Sequence, residues 1–141
     1  MITQEMGKPI AESLAEIDKC IWLCDYYIEN SEQFLKSETI KTDASNSYVS
    51  FEPLGVILGI MPWNFPYWQV FRFAIPAILS GNTVVVKHAS NVSGCSLLIE
   101  KIFSKNIKLN IFQSLLLTSL KMKDVIENPL IKAISLTGSE K

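Results

Sequence analysis

The loop Met61–Pro66 carries the side chains best suited to carbonyl chemistry. Trp63 has a broad apolar indole ring, and the neighbouring Asn64 has an amide with two N–H donors. A positioned amide donor stabilises the oxyanion that forms when a nucleophile attacks a carbonyl group. The spacing alone fits a proline-rich turn with a packed tryptophan equally well. These residues therefore indicate either a carbonyl site or a structural turn.

Three cysteines and one histidine are the other residues with nucleophilic or metal-binding chemistry. An odd number of cysteines without a secretion signal favours reduced thiols. Cys20, Cys24 and Cys95 fall on predicted helix faces or helix starts, where cysteine packs as a small hydrophobe. Because His88 is the sole imidazole, a zinc site lacks ligands and we expect no metal site.

Length, charge and hydropathy set the class of protein. The 141 residues fit one folded domain, since 48% are hydrophobic and 19% are charged. The net charge of −1 gives no basic surface for nucleic acid. The N-terminus has no apolar signal region, and the most apolar stretch is interrupted at Arg72, Pro76 and Gly81. We expect a cytoplasmic protein with no nucleic-acid or membrane partner.

A long helix is predicted to begin at Gly7-Lys8-Pro9, because proline suits the first helical position. Apolar residues then recur at alternating intervals of four and three, the spacing of one helix face; they are Ile10, Leu14, Ile17, Ile21, Cys24 and Ile28. This stripe is too short for a stable zipper, so we expect it to pack on a larger domain. A polar stretch at 37–47 follows, and Tyr48–Phe51 is predicted to be a short strand.

From Leu54 onwards, strand and helix patterns alternate. Strands are predicted at Leu54–Ile60, Thr83–Lys87, Ile111–Leu117 and Ile131–Leu136, and helices at Tyr67–Ser80, Ser93–Phe103 and Lys121–Glu127. Gly81 is placed as the left-handed residue that ends the first of these helices. The alternation indicates a parallel sheet, in which ligands bind beyond the carboxyl ends of the strands. The loops that meet this condition are Met61–Pro66, His88–Val92 and Thr137–Lys141.

Five ordered segments resemble the aldehyde dehydrogenase superfamily. They are Glu5–Pro9 (EMGKP), Glu52–Val56 (EPLGV), Pro62–Pro66 (PWNFP), Gly81–Lys87 (GNTVVVK) and Leu136–Ser139 (LTGS). The common GxGxxG and GxxxxGK[ST] fingerprints of nucleotide-binding loops are absent. The variants at Tyr67–Phe73 and Lys87–Asn91 are most similar to the succinate-semialdehyde dehydrogenase branch.

The resemblance implies an α/β fold: a partial parallel-sheet, Rossmann-like cofactor-binding domain of the aldehyde dehydrogenase fold, preceded by a long helix. Residues 1–52 would form the N-terminal helix and connecting strand, and residues 53–141 part of the NAD(P)-binding domain. The implied reaction oxidises an aldehyde, with succinate semialdehyde as the expected substrate. A cysteine forms a thiohemiacetal, hydride passes to NAD(P)+, and water hydrolyses the thioester. Complete family members are expected to be homo-oligomers.

The same resemblance assigns roles to two of the loops. Asn64 would donate to the developing oxyanion, and Trp63 would border the nicotinamide end of the cofactor. Gly138 and Ser139 would approach the pyrophosphate at a helix N-terminus.

The strand end at Lys87 is implied to hold the adenosine side of the cofactor. Lys87 would bind the ribose, and His88, Ala89 and Ser90 would complete that wall. An acidic side chain at this place favours NAD, whereas this run has a cation and no carboxylate. NADP is therefore the expected cofactor, with NAD as a possible second. Ser90 has an alternative role as the N-cap of the next helix.

Two further side chains have weaker assignments. His88 titrates near neutral pH, but the resemblance gives it a wall or hydrogen-bonding role rather than that of a general base. Arg72 could pair with the carboxylate of a semialdehyde, although an internal partner is the commoner role for an arginine on a helix face.

The catalytic cysteine and the acid-base glutamate of the family are expected beyond the Leu136–Ser139 segment. No cysteine of this chain matches the family's cysteine motif, and neither Glu127 nor Glu140 matches its glutamate. We therefore expect a truncated and inactive fragment that exposes apolar surface and aggregates. The alternatives are a non-catalytic nucleotide-binding module and a module that docks onto a chain supplying the catalytic half.

Overall fold

The computed structural model describes residues 1–139, which form a four-stranded parallel sheet, its helices and a separate two-stranded sheet. In chain order the elements are α1 (Ile2–Met6), α2 (Ile10–Phe34), β1 (Glu38–Thr39), β2 (Tyr48–Val49), β3 (Val56–Met61), α3 (Trp68–Leu79), β4 (Thr83–His88), the 3-10 turn η1 (Ser90–Val92), α4 (Ser93–Asn106), β5 (Phe112–Ser114), the 3-10 turn η2 (Ser119–Lys121), α5 (Met122–Ile126) and β6 (Ile131–Leu136).

The parallel sheet has the strand order β5-β4-β3-β6. In register, Ile60 of β3 lies beside Lys87 of β4 and Leu136 of β6, so the carboxyl ends of these three strands share one edge. The predicted β-α-β-α-β-α-β order and the α/β class are confirmed. Strand β5 is shorter than predicted, with three residues paired to β4.

The central strands form because their sequences combine branched side chains with burial. Leu58, Val84 and Val86 are fully buried, as expected for β-branched and aliphatic runs in the middle of a parallel sheet. Gly59 is required by close packing, since a Cβ at this position would lie 2.5 Å from Cε1 of Phe73 on α3. Helix α3 can therefore approach β3 closely.

The connection from α3 to β4 depends on two residues. Gly81 has a φ of 84°, which confirms the predicted left-handed end of the helix. The buried amide of Asn82 accepts hydrogen bonds from the backbone N–H groups of Leu54 (2.7 Å) and Gly55 (3.1 Å), and donates to the Ala77 carbonyl (3.1 Å). Asn82 thus joins the end of α3 to the start of β3.

The predicted packing face of α2 is wrong for four of its six residues. Ile10, Leu14, Ile21 and Ile28 are 68%, 61%, 54% and 78% exposed, whereas Glu16, Cys20 and Leu23 are buried. Helix α2 does pack on the domain, against α3, and the stripe residues Ile17 and Cys24 are half-buried, with Ile17 packed against the core. The pattern misled because Glu16 is buried as part of an ion pair with Lys8, which hydrophobic periodicity does not detect.

Two small elements were not predicted. Helix α1 buries Ile2, and β1 lies in the polar stretch at 37–47. Strand β1 pairs antiparallel with β2, and β2 covers only the first part of the predicted Tyr48–Phe51 strand. Among the described residues, no helix has both the length and the apolar character needed to cross a membrane.

Candidate functional site

The loops at the carboxyl ends of β3 and β6 meet around a cavity of about 320 Å³. Its walls are formed by Pro62, Trp63, Asn64, Gln69, Thr137, Gly138 and Ser139. Four residues singled out in the sequence are thereby brought together: Trp63 and Asn64 from one loop, and Gly138 and Ser139 from the other. The remainder of the predicted Thr137–Lys141 loop, Glu140 and Lys141, lies outside the described residues, as does any helix start after Ser139.

A second cavity of about 230 Å³ lies between the ends of β4 and β5. Its walls are formed by His88, Ser90, Ser93, Leu115, Leu116, Leu117 and Thr118, none of which is acidic. The strand position of Lys87, next to His88, is at the same edge of the sheet. The predicted adenosine-side residues therefore lie beside a different cavity from Trp63 and Asn64.

His88 is a buried link between these two regions. Its Nε2 donates to the Pro66 carbonyl at 2.8 Å, and its Nδ1 accepts the Ala89 N–H at 2.9 Å. These bonds require the neutral tautomer with the proton on Nε2. Burial also lowers the pKa of His88, which outweighs the opposing effect of its backbone contacts. Because both ring nitrogens are engaged by backbone, the imidazole is not placed to accept a proton from a ligand.

The N-termini of α3 and α4 are both occupied by carboxylates from the N-terminal segment. Oε1 of Glu16 accepts the N–H groups of Tyr67 (2.8 Å) and Trp68 (3.0 Å) at the start of α3. The two oxygens of Glu5 accept the N–H groups of Gly94 (2.6 Å) and Cys95 (2.7 Å) at the start of α4. A negative charge at a helix N-terminus is stabilised by the helix dipole.

The alternative role of Ser90 as the N-cap of α4 is wrong. The N-cap position of α4 is Val92, and no side chain at that position makes a capping bond, because Glu5 satisfies the first N–H groups instead. Sequence reasoning missed Glu5 and Glu16 as capping residues. Their partners lie 89 and 51 residues away along the chain, beyond the reach of any local capping pattern.

The electrostatics of Glu5 follow from this placement. Burial raises the pKa of its carboxyl group, but hydrogen bonds from Cys95 and Gly94 favour the ionised form and lower the pKa overall. Glu5 is therefore a carboxylate near neutral pH.

The three thiols are free and unreactive. Burial, together with neighbouring acidic groups, raises the pKa of Cys20 and of Cys95 to about 12; the acidic neighbour is Glu16 for Cys20 and chiefly Glu5 for Cys95. Burial also raises the pKa of Cys24. Since the thiolate is the nucleophilic form, none of the three is activated. Within residues 1–139 no group of three or more histidine, cysteine or acidic side chains is arranged to hold a metal ion.

Arg72 does not line the first cavity but contacts two residues that do. Its Nη2 donates to Oε1 of Gln69 at 2.7 Å and approaches Oγ1 of Thr137 at 3.5 Å. Both partners line the cavity, and the guanidinium is exposed. Arg72 thus has internal hydrogen-bond partners and remains accessible to an anion.

Known proteins match this chain closely in sequence and fold. The model of the aldehyde dehydrogenase family matches residues 1–141. A probable succinate-semialdehyde dehydrogenase [NADP(+)] of Synechocystis sp. is 46% identical over 141 residues, which are 99% of this chain and 31% of that protein. A succinate semialdehyde dehydrogenase [NAD(P)+] of Escherichia coli is 43% identical over 140 residues, covering 99% of this chain and 30% of that protein.

A solved structure gives the same result. Succinic semialdehyde dehydrogenase from Streptococcus pyogenes, in complex with NADP+, superposes with a TM-score of 0.89 at 30% identity, covering 94% of this chain and 30% of that one. The chain thus spans about a third of the length of these relatives. Since the family model matches every residue and the parallel sheet has the same fold, the chain belongs to the aldehyde dehydrogenase family.

Proposed function

We propose that this chain provides the cofactor-binding face and the oxyanion donor of an NADP-dependent succinate-semialdehyde dehydrogenase. The observation that carries the proposal is the first cavity, where Trp63 and Asn64 lie with Gly138 and Ser139 at one edge of the sheet. Relatives named as NADP-dependent succinate-semialdehyde dehydrogenases, and a neighbour solved with NADP+, support the choice of reaction and cofactor.

The residues present fit a dinucleotide. Among residues 1–139, no atom would lie within 4 Å of a Cβ added at Gly138, so this part of the chain leaves the backbone at the glycine open to a phosphate. The starts of α3 and α4 are closed to phosphate because Glu16 and Glu5 already occupy them. This explains how a parallel sheet binds a dinucleotide without GxGxxG after its first strand: the pyrophosphate is received at Gly138 and Ser139.

The second cavity fits the 2′-phosphate of NADP. Hydroxyl groups of Ser90 and Thr118 are available among its lining residues, whereas that of Ser93 donates to the Ser90 carbonyl, and none of the lining residues carries a carboxylate that would repel a phosphate. Lys87, one residue before His88 at the end of β4, does not line this cavity, and we propose that its long side chain reaches the cofactor from the same edge of the sheet. When bound, the nicotinamide accepts the hydride from the aldehyde carbon.

Asn64 acts on the aldehyde oxygen. Its exposed amide donates to the oxygen as negative charge develops there during attack by a thiolate. The cysteines of this chain do not supply that thiolate, because burial keeps them protonated. We therefore propose that these 141 residues bind NADP without oxidising aldehyde.

Arg72 provides the preference for an acidic aldehyde. Its exposed guanidinium, bound to Gln69 of the first cavity, would pair with the carboxylate of succinate semialdehyde.

Calorimetric titration of the chain with NADP+ and NAD+ tests this function. We expect NADP+ to bind more tightly, and Lys87→Met to weaken NADP+ binding by about tenfold or more, the loss of one charge-assisted hydrogen bond. Lys123→Met, on the exposed face of α5, is the matched control and leaves binding unchanged. No NADPH should form with succinate semialdehyde. Equal affinity for both nucleotides, or no binding of either, would overturn the proposal.

A further inference from the structure

The loop that carries Trp63 and Asn64 is exposed, yet the residues directly after it are fixed from two directions. Trp63 and Asn64 are exposed, whereas Pro66 and Tyr67 are buried. An oxyanion donor is effective only when it is held in place before the charge develops. The contacts that hold 65–68 therefore decide how well Asn64 is placed.

The first set of contacts comes from a buried ion pair. Lys8 is 7% exposed and Glu16 is 3% exposed, and their side chains form a short charged hydrogen bond between Nζ and Oε2. Through Oε1, Glu16 also binds the N–H groups of Tyr67 and Trp68. The Lys8 ammonium lies 3.8 Å from the centre of the Phe65 ring, a cation–π contact.

The second contact comes from the sheet. His88, at the end of β4, binds the carbonyl of Pro66. Every residue from 65 to 68 thus has a contact with Lys8, Glu16 or His88, and all of these contacts begin immediately after Asn64.

Stability alone does not explain a buried ion pair such as Lys8 and Glu16. Removing two charges from water is costly, and an apolar pair of similar size is often as stable or more stable. The ion pair instead fixes the geometry of its neighbours. The carboxylate holds two backbone N–H groups and the ammonium holds an aromatic ring.

We infer that Lys8 and Glu16 are positioning residues for Asn64, holding its loop from α2 while His88 holds it from β4. This inference rests on the proposed function of Asn64 as oxyanion donor and of Trp63 as part of the cofactor site. It gives the N-terminal segment a part in the site, although no residue of that segment lines the first cavity.

The test uses the 141-residue chain with Trp22→Phe and Trp68→Phe, so that Trp63 is the remaining tryptophan. Fluorescence anisotropy decay and acrylamide quenching of Trp63 report the mobility of the loop, and NADP+ titration reports the cofactor site. The variants are Lys8→Met, Glu16→Gln and the double change. The matched control is Lys123→Met with Glu127→Gln, which removes the exposed ion pair of α5.

We expect the double variant to melt within a few degrees of the parent while Trp63 loses anisotropy and becomes more accessible to acrylamide. If the loop is then correctly placed only about a tenth of the time, NADP+ binding weakens about tenfold. Lys8→Arg keeps the cation that Lys8→Met removes, and this variant should retain most of the Trp63 anisotropy of the parent. The control double variant should match the parent in both measurements.

The outcomes separate this inference from the proposed function. A folded double variant with the anisotropy and quenching of the parent overturns the inference. If the single variants do not fold, because each leaves the other charge buried without a partner, the double variant and Lys8→Arg give the same comparison. A parent chain that shows no response to NADP+ overturns the proposed cofactor site, while the Trp63 mobility still decides whether the ion pair holds the loop.

Discussion

Asn64 and Asn82 carry the same amide in opposite environments. Asn82 is buried and joins two backbone N–H groups and a carbonyl, whereas Asn64 is exposed beside the first cavity. Replacing Asn82 by alanine leaves the N–H groups of Leu54 and Gly55 without partners, and we expect the free energy of unfolding to fall by about 2–4 kcal/mol. Asn64→Ala should change it by less than about 0.5 kcal/mol. Urea unfolding of both variants measures the difference, and comparable losses would show that Asn64 has a structural role.

His88 makes stability depend on pH in a defined window. Its pKa is lowered from 6.5 in the folded state, so between that folded value and 6.5 the unfolded chain binds more protons. The stability it contributes is present above pH 6.5 and is lost as the pH falls through the folded pKa. Urea midpoints measured from pH 7.5 downwards should therefore decline below about pH 6.5.

Two variants serve as controls for this pH effect. One removes the titrating imidazole, and the other changes a carboxyl group that titrates at lower pH. In His88→Gln the decline below pH 6.5 should disappear, because glutamine can donate to the Pro66 carbonyl without titrating. Glu5→Gln should keep this decline and extend it to lower pH, since the charge of Glu5 raises the pKa of His88, and should remove the loss below pH 4.5, since the pKa of Glu5 is lowered from that value. A parent chain with flat stability from pH 7.5 to 5 would contradict the burial of a neutral imidazole.

Gly59 within β3 and Gly138 in the loop after β6 make a matched pair of glycines. A Cβ at Gly59 would overlap the Phe73 ring and separate α3 from β3, whereas one at Gly138 meets no atom of residues 1–139 within 4 Å. Gly59→Ala should cost about 1–3 kcal/mol of unfolding free energy through overpacking. Gly138→Ala should leave stability unchanged and weaken NADP+ binding, because the methyl group lies where the phosphate approaches. Thermal melts together with NADP+ titrations distinguish the effects of the two variants. A loss of stability in Gly138→Ala would mean that other atoms pack against Gly138.

Local patterns were sufficient to predict most elements of the parallel sheet. Strand and helix periodicities are properties of contiguous residues, and the shared carboxyl edge of parallel strands was enough to bring Trp63 and Asn64 near Gly138 and Ser139. Contacts between distant segments could not be predicted. The caps made by Glu5 and Glu16 and the buried face of α2, which packs on α3, depend on residues far apart in the sequence.

Large apolar side chains are exposed at many places among the described residues, and two of these places are suited to contact with another copy of the chain. One is the stripe on α2, with Ile21 and Ile28 among its exposed residues, and the other is the face of β6 that carries Ile134 and Leu136. Strand β6 is also at the end of the sheet, and within residues 1–139 no strand pairs with its outer side. Contiguous apolar surface and a free strand edge both favour association between copies of a chain.

We therefore expect the chain to associate increasingly with concentration, so that cofactor titrations require low micromolar protein. Sedimentation velocity over a concentration series measures this, with Ile21→Lys/Ile28→Lys and Ile134→Lys/Leu136→Lys as paired variants. Lysines on β6 should suppress association more strongly, because an edge strand offers backbone hydrogen bonds as well as apolar contact, and a charge on the edge blocks both. Greater suppression by the α2 variant would assign the contact to the stripe. A parent chain that stays monodisperse and melts cooperatively at high concentration would contradict the expectation altogether. It would mean that neither exposed surface causes copies of the chain to associate.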